Sequence, residues 1–266
     1  MTKVTDAGLK DLAGLKRLHT LKLFSTTVGD AGVAELAQLM GLKMLDLGRT
    51  DVTDAGLKHL ARLQDLQELD MSETAVTDAG LKELAGLKNL RKLDLSYTEV
   101  ADAGLKALAG LKGIRELNLT RTKVTDAGLK ELAGFVDLRR LQLGYTTATD
   151  AGLKELAGLK NLQTLFLRGT KVTGVGFKEL GGLKHLQSLD LNSTKVTDAG
   201  LKGLAMADLK TLHELDLSQT QVTDAGLKEL TGLTSLQELY LNFTKVTDTG
   251  VAALQKALPD CREITR

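Results

Sequence analysis

The stretch Val124-Thr125-Asp126-Ala127-Gly128-Leu129-Lys130-Glu131-Leu132-Ala133-Gly134 decides the fold, because close variants of it recur along the whole chain. The first glycine of this phrase returns every 24 residues, except for one interval of 26 residues between Gly200 and Gly226. A fixed period of this length indicates stacked supersecondary units that share a continuous core. The repeated glycines are Gly8, Gly32, Gly56, Gly80, Gly104, Gly128, Gly152, Gly176, Gly200, Gly226 and Gly250.

Each repeat carries signals for one short strand and one short helix. Residues 162–172 have the form L-x-x-L-x-L-x-x-T-x-V, and the alternation of Leu165 and Leu167 predicts a strand with both side chains in the core. Most copies continue with Thr-Asp, which predicts a helix N-cap followed by an acid in the first turn. The spacing of Leu153 and Leu156 then predicts a short helix with one buried stripe.

The pattern L-x-x-L-x-L-x-x-T-x-V-T-D-A-G-L resembles the leucine-rich repeat family, nearest to the cysteine-containing subtype of F-box receptors and many bacterial proteins. The resemblance covers essentially the whole chain. It implies an α/β fold, a right-handed solenoid of horseshoe or arc form with a parallel β-sheet on the concave side and short helices on the convex side. This chain has threonine where the family has Asn or Cys, and we expect each buried hydroxyl to bond backbone groups. These residues are Thr26, Thr50, Thr74, Thr98, Thr122, Thr146, Thr170, Thr194, Thr220 and Thr244.

The repeats leave no obvious boundary, so we predict one domain, residues 1–266, of ten complete strand units and a partial capping unit at about 251–266. In that last unit, Cys261 stands in a leucine position and is expected in the core. At the other end, either residues 2–12 form a rudimentary cap or the chain has been excised from something longer. An uncapped first strand predicts self-association through the N-terminal end.

Three irregularities interrupt the middle of the array. Phe135 and Phe177 replace core leucines, and both are predicted to be buried. The pair 174–175 reads Gly-Val instead of Asp-Ala, which removes the acid from that helix start. The insertion Met206-Ala207 accounts for the longer interval and is placed between a helix and the next strand.

Composition excludes several classes of protein. The net charge is +1 with 26% charged residues, which does not suggest wholesale nucleic-acid binding. The single cysteine excludes an internal disulfide. The start of the chain, residues 1–6, lacks the apolar run of a signal peptide, and no segment approaches the length of a membrane span. We therefore expect a cytoplasmic protein with no membrane contact.

The aromatic residues point to the sheet as the functional surface. Apart from the two core phenylalanines, the sequence places all of them on exposed strand positions, where aromatic and arginine side chains form protein-binding hot spots. The alternative is that single aromatics reflect β-propensity alone. The residues concerned are Phe24, Tyr97, Tyr145, Phe166, Tyr240 and Phe243.

Charge on the same positions is banded. The unit around Leu69 carries only acids, Glu68, Asp70 and Glu73. The next four units carry seven basic residues against two acidic ones, and the following three carry four acids. Arg121 is expected to stack on Tyr97 or Tyr145. The central band comprises Arg91, Lys92, Asp94, Arg115, Glu116, Arg121, Arg139, Arg140 and Arg168, and the acids that follow are Asp190, Glu214, Asp216 and Glu238.

These observations predict a non-enzymatic module that binds a protein partner through the concave sheet. Two alternatives stay open: a structural or consensus-like array with no dedicated ligand, and nucleic-acid binding by the central basic band. The predicted partner-binding residues are Tyr97, Arg121, Arg139, Arg140, Tyr145, Phe166, Arg168, Tyr240 and Phe243.

No catalytic residue, metal site or cofactor is predicted. The four histidines occur at unrelated positions without metal-ligand spacing, and no nucleophile elbow or phosphate loop is present. Aspartates stack on neighbouring repeats at Asp46, Asp70 and Asp94, which would suit a glycosidase or a cation. The motif L-D-L-S is ordinary for such repeats, so we favour a structural role for these carboxylates.

Overall fold

The computed structural model describes residues 4–266, which fall into two compact units. The first unit takes the chain up to residue 124 together with residues 134–138, and the second takes residues 125–133 and 139–266. The single-domain count stays a prediction. Residues 1–3, part of the expected N-terminal cap, lie outside the described residues.

In the first unit, one strand and one short helix alternate along the chain. The strands are parallel and pair in sequence order, with the middle leucine of each aligned on that of the next. The strands are β1 Thr20–Lys22, β2 Met44–Asp46, β3 Glu68–Asp70, β4 Lys92–Asp94 and β5 Glu116–Asn118. The helices are α1 Asp6–Leu9, α2 Asp30–Leu36, α3 Asp54–Leu60, α4 Asp78–Leu81 and α5 Asp102–Leu108, with 3₁₀ turns at Lys10–Leu12 and Lys82–Gly86.

The second unit repeats this arrangement, and its strands are again parallel and in sequence order. They are β6 Arg140–Gln142, β7 Thr164–Phe166, β8 Ser188–Asp190, β9 Glu214–Asp216, β10 Glu238–Tyr240 and β11 Glu263–Thr265. The helices are α6 Asp126–Leu129, α7 Asp150–Leu156, α8 Asp198–Met206, α9 Asp224–Leu227 and α10 Asp248–Ala257. The 3₁₀ segments are Phe177–Gly182 and Lys228–Gly232, and another, Lys130–Gly134, ends at the unit boundary.

The predicted core is confirmed. Leu165 and Leu167 are fully buried, as are the substitutes Phe135 and Phe177. Each of the ten repeat threonines donates its hydroxyl hydrogen to the carbonyl three residues earlier, at 2.6–2.7 Å. Among residues 4–266, no buried side-chain nitrogen or oxygen lacks a hydrogen-bond partner. Threonine therefore satisfies this core position within its own repeat.

The acid at the helix start has a larger role than the sequence suggested. Asp54, in the first helical turn, accepts hydrogen bonds from both the backbone N–H and the hydroxyl of Thr77 in the next repeat, at 2.8 and 2.6 Å. Thr77 also caps its own helix by accepting from the Ala79 N–H. The same two bonds recur from Thr53, Thr149, Thr223 and Thr247 to Asp30, Asp126, Asp198 and Asp224. We call this chain of contacts the Asp–Thr ladder.

The ladder explains the invariant glycine of the repeat. A Cβ atom on Gly80 would lie 2.4 Å from the Asp54 Oδ1 and 3.0 Å from its Cα. The carboxylate that holds the next threonine therefore occupies the space that a side chain would need. In the same register, Gly8 has nothing within 4 Å of such an atom.

The irregular repeats differ from the others in the helix that each one forms or in the residue that each one buries. Gly174 adopts φ +98°, and without an acid at this point the segment after it is a 3₁₀ helix rather than an α-helix. The insertion Met206-Ala207 extends α8 to nine residues, with Met206 exposed and Ala207 buried. Cys261, two residues before β11, is buried, and burial raises the pKa of its thiol, which supports the core interpretation.

The first layer is more exposed than those after it. Leu15 is half exposed, and Leu12 and Leu21 are partly exposed, whereas their counterparts in later repeats are buried. Among the described residues, β1 pairs with β2 on one side only. Self-association through this end stays a prediction.

Candidate protein-interaction site

A left-handed turn follows each of the strands β1 to β10, and it corrects the predicted position of the aromatic residues. Only Phe166 and Tyr240 lie within strands. Phe24 lies in the turn after β1, while Tyr97, Tyr145 and Phe243 occupy its left-handed position with φ of 56–60°. The strands are only three residues long, so the chain turns before it reaches these positions. The residues at the left-handed position are Ser25, Arg49, Glu73, Tyr97, Arg121, Tyr145, Gly169, Ser193, Gln219 and Phe243.

Backbone hydrogen bonds between neighbouring repeats hold this turn. The Tyr145 N–H donates to the Arg168 carbonyl at 2.7 Å, and the Tyr97 N–H donates to the Thr120 carbonyl at 2.9 Å. A left-handed conformation costs a non-glycine residue about 1–2 kcal/mol, and these bonds help to offset it. The side chains at the left-handed position are consequently held at the surface.

None of the six aromatic side chains is buried. Tyr97 and Tyr145 are 53% and 42% exposed, Phe243 is 84% exposed, and Phe166 and Tyr240 are half-buried. Phe24 is 49% exposed and lies against Gly48, where a Cβ would approach its ring to 2.9 Å. The rings are therefore accessible, although most stand at the end of a strand rather than on it.

In the first unit, the predicted pairing of arginine and tyrosine is confirmed. The Arg121 guanidinium carbon lies 5.3 Å from the centre of the Tyr97 ring, which is within cation–π range. The stacking of Arg121 on Tyr145 stays a prediction.

The remaining basic residues of the first unit are largely committed to local contacts. The Arg91 guanidinium donates to the carbonyls of Lys88 and Leu90 and lies over Gly113, and Lys92 pairs with Glu116 at 3.9 Å. This half of the predicted basic band is thus partly neutralised.

In the second unit, three exposed arginines and two aromatic rings lie on or beside β6 and β7. We call these residues, Arg139, Arg140, Tyr145, Phe166 and Arg168, the arginine–aromatic cluster. The Arg168 Nε donates to the Tyr145 hydroxyl oxygen at 3.1 Å, and the Arg140 guanidinium carbon lies 5.8 Å from the Phe166 ring centre. One hydrogen bond and one cation–π contact therefore link two of the arginines to the two aromatic residues.

A glycine makes the cluster possible. Gly169 occupies the left-handed position next to Tyr145, and a Cβ there would lie 2.5 Å from the tyrosine ring. The Tyr145 ring therefore packs closely against Gly169. The sequence analysis did not predict this contact. The signal for it is that Gly169 is the one glycine among the ten left-handed turn positions.

The cluster arginines form no ion pair within residues 4–266, although all three are exposed. Arginine that is exposed, held by aromatic rings and not neutralised is suited to contact an acidic partner. This separates the cluster from the basic residues of the first unit, such as Lys92.

An acidic strip, Asp190, Glu214, Asp216 and Glu238, follows the cluster on β8, β9 and β10. Burial raises the pKa of Asp190 above its usual value, and the neighbouring Asp216 carboxylate adds to this effect. The Tyr240 hydroxyl donates to the Glu238 Oε2 at 2.8 Å, and this bond raises the pKa of Tyr240 to about 12. The strip therefore places negative charge beside the cluster.

The structure does not bring every predicted residue together. Three turns lie between those of Tyr145 and Phe243 in the second unit, and Tyr240 bonds Glu238 of the acidic strip instead of the cluster. Tyr240 and Phe243 therefore lie apart from the cluster, on β10 and in the turn that follows it.

The stacked aspartates of the first unit have a structural explanation. Asp70 accepts from the backbone N–H and hydroxyl of Ser72 at 2.8 and 2.6 Å, and Asp94 does the same with Ser96. These bonds close the turn after each strand. A cavity of about 160 Å³ lies over Asp46, Asp70 and Asp94, but no group of three metal-ligating side chains occurs in the described part of the chain.

Comparison with known proteins decides the family. A model described as a leucine-rich repeat region matches residues 101–266, and a second leucine-rich repeat model matches residues 40–100. The chain belongs to the leucine-rich repeat family. No curated protein matches the sequence. The cysteine-containing subtype stays an interpretation.

Solved structures agree on the fold. A leucine-rich repeat protein of Leptospira interrogans is 26% identical with a TM-score of 0.71, and the match covers 96% of this chain and 68% of that one. An internalin from Listeria monocytogenes is 22% identical with a TM-score of 0.61, covering 95% and 82%. The plant peptide hormone receptor RGFR1 in complex with RGF2 is 17% identical with a TM-score of 0.56, covering 94% and 47%. The chain is thus an α/β leucine-rich repeat solenoid.

The family defines the broad class of function. The leucine-rich repeat fold is generally a protein–protein interaction module, and its members are typically non-enzymatic binding scaffolds. Within residues 4–266, every helix is too short or too polar to cross a membrane.

Proposed function

We propose that this protein is a non-enzymatic binding module that recognises a protein partner through its sheet face. The arginine–aromatic cluster is the principal contact in the second unit. Tyr97 and Arg121 form the contact in the first unit, and Tyr240 and Phe243 add a peripheral one.

The observation that carries this proposal is the presence of three exposed arginines that form no ion pair in the described chain, two of which contact aromatic side chains. Tyrosine and arginine dominate binding hot spots because they bury a large area for little loss of conformational freedom. Here the Arg168–Tyr145 hydrogen bond and the Gly169 contact already restrict the side chains. A partner would therefore meet a largely preorganised surface.

Nucleic-acid binding is the weaker candidate. The acidic strip lies on the strands next to the cluster and would repel a long polyanion. Retention on heparin that falls steeply with salt would be needed to support that alternative.

The test compares capture of partners from a lysate of the source cells by three immobilised proteins. These are the wild type, a cluster variant (Tyr145→Ala, Phe166→Ala, Arg168→Ala) and a helix-side control (Lys154→Ala, Lys202→Ala, Lys228→Ala). Each hot-spot truncation costs about 2 kcal/mol or more of binding energy, so the cluster variant should lose its partner while the control retains it.

Both variants must first melt at the wild-type temperature. Equal recovery of all partners by the three proteins would contradict the proposal and favour an array without a dedicated ligand.

A further inference from the structure

Across the strands of the second unit, one row of aligned side chains carries positive charge at one end and negative charge at the other. The first residue of each strand is aligned by the sheet register, which gives the order Arg140, Thr164, Ser188, Glu214, Glu238 and Glu263. A basic residue stands at one end and three acids stand at the other, with two small hydroxyl residues between them.

The corresponding row of the first unit is different. It reads Thr20, Met44, Glu68, Lys92 and Glu116, and Lys92 pairs with Glu116 at 3.9 Å. Neighbouring opposite charges neutralise each other there. In the second unit, Thr164 and Ser188 keep Arg140 away from Glu214, so both charges face outward without an ion pair in the described chain.

The row also has room for a ligand. A surface cavity of about 350 Å³ is lined by Thr164, Gln187, Ser188, His213, Glu214 and Glu238. Its floor is formed by the two small residues, and its acidic wall by the two glutamates. Arg140 stands beside Thr164 and is held against the Phe166 ring.

We propose that this groove binds an extended peptide segment of the protein partner, with an acidic side chain on Arg140 and a basic side chain on Glu214. The inference rests on the proposed function and specifies the partner. Charge complementarity selects the occupant, because an acidic segment alone would meet the glutamates and a basic one alone would meet Arg140.

The sheet geometry fixes the spacing of the two charges. Arg140 and Glu214 are three strands apart, which is about 14 Å at ~4.8 Å per strand. An extended peptide rises about 3.4 Å per residue, so the two charged residues are separated by about four positions. Alternate side chains of such a peptide point the same way, which places residues i and i+4 on the face that meets the groove.

Selection from a random peptide display library on the immobilised full chain tests this inference. We expect the enriched peptides to carry an acid and a base at positions i and i+4, in either chain direction. A pool with no preferred spacing would overturn the inference, as would a failure to enrich any peptide.

Charge reversal supplies the specific readout. Arg140→Glu should weaken binding of a wild-type-selected peptide by about tenfold or more, because like charges then face each other. Replacing the acid of that peptide by lysine should restore its binding to the variant. Lys202→Glu, an exposed helix-side residue with the same charge change, is the matched control.

Unchanged affinity in Arg140→Glu, or loss without rescue by the lysine peptide, would contradict the assignment. This failure is distinct from failure of the proposed function. If the cluster variant loses its cellular partner while the peptides show no spacing preference, protein binding stands and the groove assignment falls.

Discussion

Two sets of stacked aspartates occupy the same repeats and meet opposite environments. At the helix start, Asp224 accepts two hydrogen bonds from Thr247 of the next repeat, and these bonds lower its pKa. At the end of the strand, Asp190 accepts from the Asn192 N–H of the turn that follows, and burial beside Asp216 raises its pKa. The neighbouring repeat stabilises the charge of the first carboxylate, whereas burial and the Asp216 carboxylate of the neighbouring repeat disfavour the charge of the second.

This difference shows which positions of the repeat can vary in sequence without disturbing the stacking of the layers. Each carboxylate of the Asp–Thr ladder is bonded to the following repeat, so changing it disturbs two layers at once. The residue at the end of each strand tolerates exchange: Asn118 occupies the position of Asp94 in the next repeat, closes its own turn in the same way, and donates to Asp94 at 2.8 Å. Variation, charge and aromatic side chains therefore collect on the sheet side.

The largest expected effect is a loss of stability when a contact of the Asp–Thr ladder is disrupted. Gly80→Ala places a Cβ 2.4 Å from the Asp54 Oδ1, which is anchored by two hydrogen bonds to Thr77. Overpacking of this kind should destabilise the protein by about 2 kcal/mol. Urea unfolding followed by circular dichroism measures the change.

Gly8→Ala is the matched control, because the same repeat position there has nothing within 4 Å. Alanine is a better helix former than glycine, so this variant should gain about 0.5–1 kcal/mol. Equal destabilisation by both changes would show that the glycine is required for its backbone and not for the Asp54 contact.

A smaller effect of opposite sign is expected on the sheet side. Asp190→Asn keeps an acceptor for the Asn192 N–H and removes the charge that burial and Asp216 disfavour. We expect a gain of about 0.5 kcal/mol at pH 7, allowing for solvent screening. The residue Asn118 shows that the turn accepts this side chain, since it bonds the Thr120 N–H at 3.0 Å.

The pH dependence gives this prediction its sign. Because the folded pKa of Asp190 is raised, its charged form destabilises the fold, and that penalty is absent below the unfolded pKa and grows as pH rises through the folded pKa. The advantage of Asp190→Asn should therefore vanish near pH 3. A gain that persists there would assign the effect to packing rather than to charge.

The same contrast explains what could be predicted from the sequence. Helix, strand and core positions followed from the leucine spacing, because burial in every repeat imposes the same period, as Leu165 and Leu167 show. The contacts between repeats did not follow, since neither the Asp54–Thr77 bonds nor the seat of Tyr145 on Gly169 is visible within a single copy.

The candidate site was predicted in composition but not in position. The sequence pattern placed Tyr97 and Tyr145 on strands, because the alternation of leucines continues past Asp94 and Gln142, where β4 and β6 end. The left-handed position is marked by no residue type, since serine, arginine, glutamate and tyrosine all occupy it. Only the hydrogen bonds of the stacked turns, such as that of the Tyr145 N–H, identify it.

The smallest predicted effect is a change in the pKa of Tyr240, and it tests whether carboxylates on the sheet side act on their neighbours. Tyr240 donates to Glu238, and the bond to this carboxylate raises the pKa of the phenol to about 12. A raised folded pKa means that the stability it supplies is present below the unfolded value of about 10 and is lost as pH rises toward the folded one.

Glu238→Gln removes the negative charge and should return the titration of Tyr240 toward its ordinary value. The absorbance change on tyrosinate formation measures it, with Tyr240→Phe to assign the signal and Glu229→Gln as the helix-side control. A titration unchanged by Glu238→Gln would mean that the sheet-side carboxylates do not act on their neighbours in solution, and the contrast with the Asp–Thr ladder would then rest on geometry alone.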